Sequence, residues 1–134
     1  MIVGFSALGV NLPIHGVSVK YDAAAMAPIV QSLVHQTAEL FSPDTLSSPL
    51  SLAISDSFIG EAYGLPTPAG LEALRMLAQV EWILIDPVYT SKAMAWLIDA
   101  IKSGTFTSDQ RILFLHTGGS SSLFGYSDLV LPDQ

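Results

Sequence analysis

Short apolar segments alternate along this chain with stretches whose apolar residues recur every three or four positions, and that alternation restricts the fold more than any other feature. Ile14-His-Gly-Val-Ser-Val19 is short and β-branched between Pro13 and Tyr21-Asp22, the pattern of a buried strand ending at Lys20. From Pro28 onward Ile29, Val30, Leu33, Val34, Ala38 and Phe41 share one helical face, with Pro28 suited to the first turn and Pro43 to the end. Residues 42–49 are polar, carry two prolines and read as a loop leading into a strand over 50–55. Residues 58–66 hold too many turn formers for regular structure. They lead to Thr67, a good N-cap, and Pro68 at the first helical position, opening a helix that buries Leu71, Leu74, Leu77 and Ala78. Trp82-Ile-Leu-Ile85 reads as a short strand closed by Asp86-Pro87, and residues 91–102 as a helix stopped by Gly104. Arg111-Ile-Leu-Phe-Leu-His116 is the clearest strand signal, and residues 128–131 suggest an edge strand or ordered tail before Pro132.

Strands alternating with helices predict a parallel α/β sheet covered by helices, a small three-layer single domain over residues 1–134. Ligands of such sheets lie beyond the carboxyl ends of the strands, which puts the loops after Val19, Ser55, Ile85 and His116 on one rim. Half the residues are hydrophobic and only 13% are charged, lean for a monomer and in favour of an additional buried interface. Twelve acidic residues against five basic ones, with no basic cluster, argue against nucleic acid as a partner. With no cysteine there is no disulfide framework or thiol nucleophile, and a reducing cytoplasm is the expected location. The apolar start, Met1-Ile-Val-Gly-Phe5, lacks the basic flank of a signal peptide, and no apolar run approaches the ~20 residues that span a bilayer.

Two rim loops carry the polar residues that could do chemistry. In Asp86-Pro-Val-Tyr-Thr-Ser-Lys92, Tyr89 and Thr90 stand where a helix begins and where free N–H groups favour an anion. Equally, Asp86 or Thr90 could cap that helix and Tyr89 could simply pack. In His116-Thr-Gly-Gly-Ser-Ser-Ser122, Thr117 precedes Gly118 and Gly119, whose bare backbone could approach a ligand or merely turn the chain. His15, His35 and His116 lack metal-ligand spacing, so no metal is expected, and no Gly-x-Ser-x-Gly elbow occurs. Lys20 and Lys92 lie near the expected rim, where each reads as a surface residue.

Tyr63-Gly-Leu-Pro66, Gly70-Leu-Glu-Ala73, Asp86-Pro-Val-Tyr-Thr-Ser-Lys-Ala93, Leu113-Phe-Leu-His-Thr-Gly-Gly119 and Leu123-Phe-Gly-Tyr126 together resemble, in order and spacing, one family. It is the C-terminal part of the D-cysteine desulfhydrase and 1-aminocyclopropane-1-carboxylate deaminase family of pyridoxal-phosphate enzymes. Residues 1–5 resemble the helix after that family's phosphate-binding loop, and residues 14–19 the strand that follows. The resemblance implies part of the large domain of a tryptophan-synthase-β-like fold. It implies that Tyr63 and Tyr89 are active-site tyrosines, that Thr90 faces the pyridine nitrogen and that Thr117 lies beside the substrate, with Gly118 and Gly119 at the cofactor. Family deaminases carry Glu and Leu where this chain has Thr90 and Thr117, so the pair resembles the desulfhydrase side. A neutral hydroxyl at the pyridine nitrogen makes a weaker electron sink, suited to β-elimination. The family's Schiff-base lysine and phosphate loop match no residue here, Ser91 stands where glycine is usual, and Ser120-Ser-Ser122 replaces a proline-containing turn. The leading expectation is a truncated homologue, inactive alone and forming a homo-oligomer without covalently held cofactor. The alternatives are a subunit completed in trans by the missing N-terminal half, and a repurposed module for a small anion or amino acid.

Overall fold

The structure, a computed structural model, describes residues 1–41 and 52–131, which group into two compact units, 1–56 and 57–134. The expected loop over 42–49 and the first two residues of the strand expected over 50–55 lie outside the described residues.

In the first unit, β1 (Ile14–Val17) and β2 (Leu52–Ser55) pair in parallel, Ile14 opposite Leu52 and Val17 opposite Ser55. The parallel α/β expectation holds, with a ladder of two strands. Gly16 is not required by the ladder, since a Cβ there would make only ordinary contacts, at 3.8 Å, with Ala53 and Leu52. The loops after both strands meet as expected: Ser18 N–H donates to the Ser55 carbonyl at 2.7 Å, and Ala23 N–H to the Asp56 carboxylate at 2.8 Å. Two helices accompany the strands, α1 (Ile2–Ala7) and α2 (Ala23–Glu39), and the buried cluster Val3, Val34 and Ala38 joins them.

α2 begins earlier than the proline suggests. Asp22 accepts from Ala25 N–H at 2.7 Å and caps the helix, which leaves Pro28 inside it rather than in its first turn. A proline there deprives the carbonyl four residues back, that of Ala24, of its partner. Ala24 is exposed, so water can satisfy that carbonyl.

The second unit is built on α3 (Pro68–Glu81) and α4 (Thr90–Lys102). Thr67 caps α3 by accepting from Gly70 N–H at 3.1 Å, with Pro68 opening it, as its sequence requires. Gly70 lets the helices approach, because a Cβ there would lie 3.1 Å from the Ser91 hydroxyl of α4. Ala73 and Leu74 are buried, while Leu71, Leu77 and Ala78 are only half-buried. Trp96 and Phe106 pack edge to face at 6.1 Å, and Gly104, at φ +77°, turns the chain out of α4.

Neither expected strand of this unit forms. Residues 82–86 and 111–116 join no ladder among the described residues, and Trp82, Leu84, Leu113 and Leu115 are exposed. Extended apolar segments become strands only when a neighbour supplies hydrogen bonds, and no described segment does so here. Trp82 is instead the left-handed residue that ends α3, at φ +58°. Of the two readings for 128–131, edge strand or ordered tail, the strand does not form: a 3₁₀ helix (Ser120–Tyr126) runs into α5 (Ser127–Val130). Arg75 of α3 ties α5 down by donating to the carbonyls of Val130 and Leu129 at 3.1 and 2.7 Å. No described helix is long and apolar enough to cross a membrane.

Candidate functional site

All six residues singled out by sequence, Tyr63, Tyr89, Thr90, Thr117, Gly118 and Gly119, fall in the second unit, where Tyr89, Thr90 and Gly119 meet Asp86 and Tyr63 meets Tyr89. Asp86 is fully buried at the start of the turn before α4. Its carboxylate accepts from the N–H groups of Val88, Tyr89 and Thr90 at 2.7–2.8 Å and from the Thr90 hydroxyl at 2.6 Å. Burial alone pushes the carboxyl upward. The hydrogen bonds from Thr90, Tyr89 and Val88 together outweigh it and hold the group below the ordinary carboxylate value.

This arrangement answers the question of the anion at the helix start. The N–H groups of Val88, Tyr89 and Thr90 are already taken by the Asp86 carboxylate and that of Ser91 by the Asp86 carbonyl, so Asp86 holds the start of α4 from outside the helix, while the N-cap residue itself, Tyr89, makes no side-chain cap. Thr90 is 3% exposed, donates its hydroxyl proton to Asp86 and accepts the Asp86 N–H at 2.9 Å. Its donor is spent; toward a ring nitrogen it could only accept.

Tyr63 and Tyr89 stand together at the surface, their phenol oxygens hydrogen-bonded and their rings edge to face at 6.0 Å. That bond from Tyr63, followed by burial and the nearby Tyr63, Asp86 and Tyr126, raises the Tyr89 phenol above its ordinary value. The segment bearing Tyr63 is pinned on both sides. Tyr126 donates to the Gly64 carbonyl at 2.8 Å, and the Lys92 ammonium to the Ile59 carbonyl at 2.6 Å.

Gly119 lies against Asp86, where a Cβ would come within 2.8 Å of the carboxylate, and its φ is +96°. Gly118 N–H donates to His116 Nδ1 at 3.1 Å, so the ring proton sits on Nε2, which meets the Leu84 carbonyl at 3.0 Å. The expected strand-end motifs thus meet through a histidine and a glycine rather than through a ladder. Thr117 is exposed beside them.

Lys92 corrects an expectation. It is fully buried, not a surface residue, and burial lowers its pKa from 10.5. Its position was legible: Lys92 precedes Ala95 by three residues on the buried side of α4, and Val88, four residues earlier in the turn before the helix, is buried too. The lowered value has a signed consequence. At neutral pH the folded chain carries the cost of a buried ammonium. Between the lowered value and 10.5 the folded state releases this proton before the unfolded state does, so stability rises with pH in that window. Denaturant titrations across it should show that rise, and Lys92→Met should flatten it. Tyr89, with its raised pKa, acts in the opposite sense above pH 10.

Ser91, in the position where the resemblance puts glycine, is buried with its hydroxyl unpartnered among the described residues. Such a group costs roughly 1–3 kcal/mol. Ser91→Ala should therefore raise stability by about 1 kcal/mol in chemical denaturation, and no gain would mean that the hydroxyl finds a partner in solution.

Comparison with known proteins decides the ancestry. Residues 1–118 match the family described as pyridoxal-phosphate dependent enzyme. The chain belongs to that family. Its similar relatives include D-cysteine desulfhydrase of Salmonella paratyphi C, 40% identical over 126 residues, and that of Salmonella newport, 39% identical over the same length. Each alignment covers 94% of this chain and 38% of the relative. A crystal structure of an ACC deaminase homologue superposes with a TM-score of 0.77 at 28% identity, covering 96% of this chain and 38% of that one. The α/β architecture is therefore that of the pyridoxal-phosphate family, and this chain spans 38% of the length of the relatives it matches.

The polar groups open to a planar cofactor or its substrate here are the exposed phenols of Tyr63 and Tyr89 and the exposed Thr117. The Thr90 hydroxyl and Gly119 lie against Asp86, and the Tyr63 phenol reaches that of Tyr89. The N–H groups of Val88, Tyr89, Thr90 and Gly118 are internally committed and so are not free to hold a phosphate.

Proposed function

We propose that this chain supplies one wall of a pyridoxal-phosphate site and, alone, neither holds the cofactor covalently nor turns over an amino acid. The observation that carries the reading is the state of its lysines. Lys92 is buried on the Ile59 carbonyl, Lys20 lies over the Tyr21 ring at 4.8 Å, and Lys102 is in the last turn of α4. When bound, the cofactor withdraws electrons from the α-carbon of an amino acid, and it requires a lysine as its covalent anchor. The wall's own contribution is orientation. Tyr63 and Tyr89 offer phenols for proton exchange at the reacting face, Thr117 and the Gly118-Gly119 backbone line the substrate side, and Thr90, its donor taken by Asp86, would accept only from a protonated ring nitrogen. Thr90 and Thr117 favour a β-eliminating lyase ancestry of the D-cysteine desulfhydrase kind.

The exposed Trp82, Leu113 and Phe124, each at least 87% accessible, support self-association of the isolated chain, and the lack of cysteine suits a reducing cytoplasm. Light scattering should give a homo-oligomer, and pyruvate release from D-cysteine with added pyridoxal phosphate should stay at background. A monomer that binds no apolar dye would overturn the first expectation, and sustained turnover the second. Because the chain spans 38% of its relatives, activity that emerges only with a second polypeptide bearing the lysine would support the in-trans reading instead.

A further inference from the structure

A helix cap needs one hydrogen bond from its side chain, yet the Asp86 carboxylate takes part in four. Oδ2 accepts from Val88 and Tyr89 N–H, and Oδ1 from the N–H and hydroxyl of Thr90. Gly119 presses on the same carboxylate from another segment, close enough that a Cβ would stand 2.8 Å from its Cγ and Oδ1. One buried group therefore fixes the backbone of Tyr89 and seats the Gly118-Gly119 turn.

We propose that Asp86 is a positioning residue: it orients Tyr89 so that its phenol meets that of Tyr63, and it aligns this phenol pair with the Gly118-Gly119 turn. The proposal rests on the reading of these residues as a cofactor wall. Asp86 is fully buried and acts only through its neighbours. The chemistry demands a carboxylate. Asparagine has the same shape, but its amide nitrogen would face either the N–H pair of Val88 and Tyr89 or the N–H of Thr90. In neither orientation can it accept what those groups donate.

The test uses the full chain labelled with 3-fluorotyrosine and followed by fluorine NMR at neutral pH, with resonances assigned by single Tyr→Phe variants. In the parent chain, Tyr63→Phe should shift the Tyr89 resonance and Tyr89→Phe that of Tyr63. Asp86→Asn should abolish this mutual response while Tyr21 is unmoved. Thr90→Val, which deletes the hydroxyl that Asp86 grips, should weaken the response, and Thr90→Ser should preserve it. Arg75→Met, which cuts the α3–α5 tether, should lower Tm and leave the response intact. Persistence of the response in folded Asp86→Asn would overturn the proposal. If that variant fails to fold, persistence of the full response in Thr90→Val would overturn it. No cofactor is present, so this outcome is separable from failure of the cofactor-wall reading.

Discussion

Gly119→Ala should lower the stability of the second unit by about 3 kcal/mol, the sum of a left-handed backbone penalty and an overpacked contact. The site permits no easy relaxation, because the new methyl would stand 2.8 Å from the Asp86 Cγ and Oδ1 and 3.1 Å from its Cβ. Asp86 in turn is held by its own hydrogen bonds. Gly118→Ala is the internal control: its φ is +110° but nothing lies within 4 Å, so only the backbone penalty applies. Denaturant unfolding of the two variants should separate them by about 1–2 kcal/mol. Equal losses would show that Gly119 does not rest on Asp86.

Asp86→Ala should cost more, roughly 3–5 kcal/mol, because it strips acceptors from three N–H groups and a buried hydroxyl at once. The pH dependence carries the same signature. The lowered carboxyl pKa contributes stability that is present above the unfolded value of ~3.9 and lost as pH falls through the folded value. Acid denaturation of the parent should show this loss. Asp86→Ala should lack that share of the slope, and an unchanged acid profile would contradict the assignment.

Local signals were legible where a single residue decides the geometry. Thr67-Pro68 opens α3, Gly104 ends the turn after α4, and residues 14–17, with β-branched Ile14 and Val17, lie in a ladder. Pro28 misled because a proline is also tolerated beyond the first turn when the orphaned carbonyl is exposed, and Asp22 was the stronger start signal. Residues 82–85 and 111–116 have strand-like composition, but composition does not say whether a pairing neighbour exists, and in this unit none of the described residues provides one. The site was half legible. Motif resemblance singled out Tyr63, Tyr89, Thr90, Thr117, Gly118 and Gly119, whereas Asp86 was read from its position alone, as one of two alternative caps. Burial makes Asp86 the centre, and burial arises only when α4, its preceding turn and the glycine turn are brought together. Lys92 was misread because its charge outweighed its place on the apolar stripe of α4.

The central claim, a cofactor wall without its covalent anchor, is most directly tested by reductive trapping. The chain would be incubated with equimolar pyridoxal phosphate, treated with borohydride and mapped by peptide mass spectrometry. The predicted result is no stoichiometric pyridoxyl adduct at Lys20, Lys92 or Lys102. A single lysine modified to completion would contradict the account.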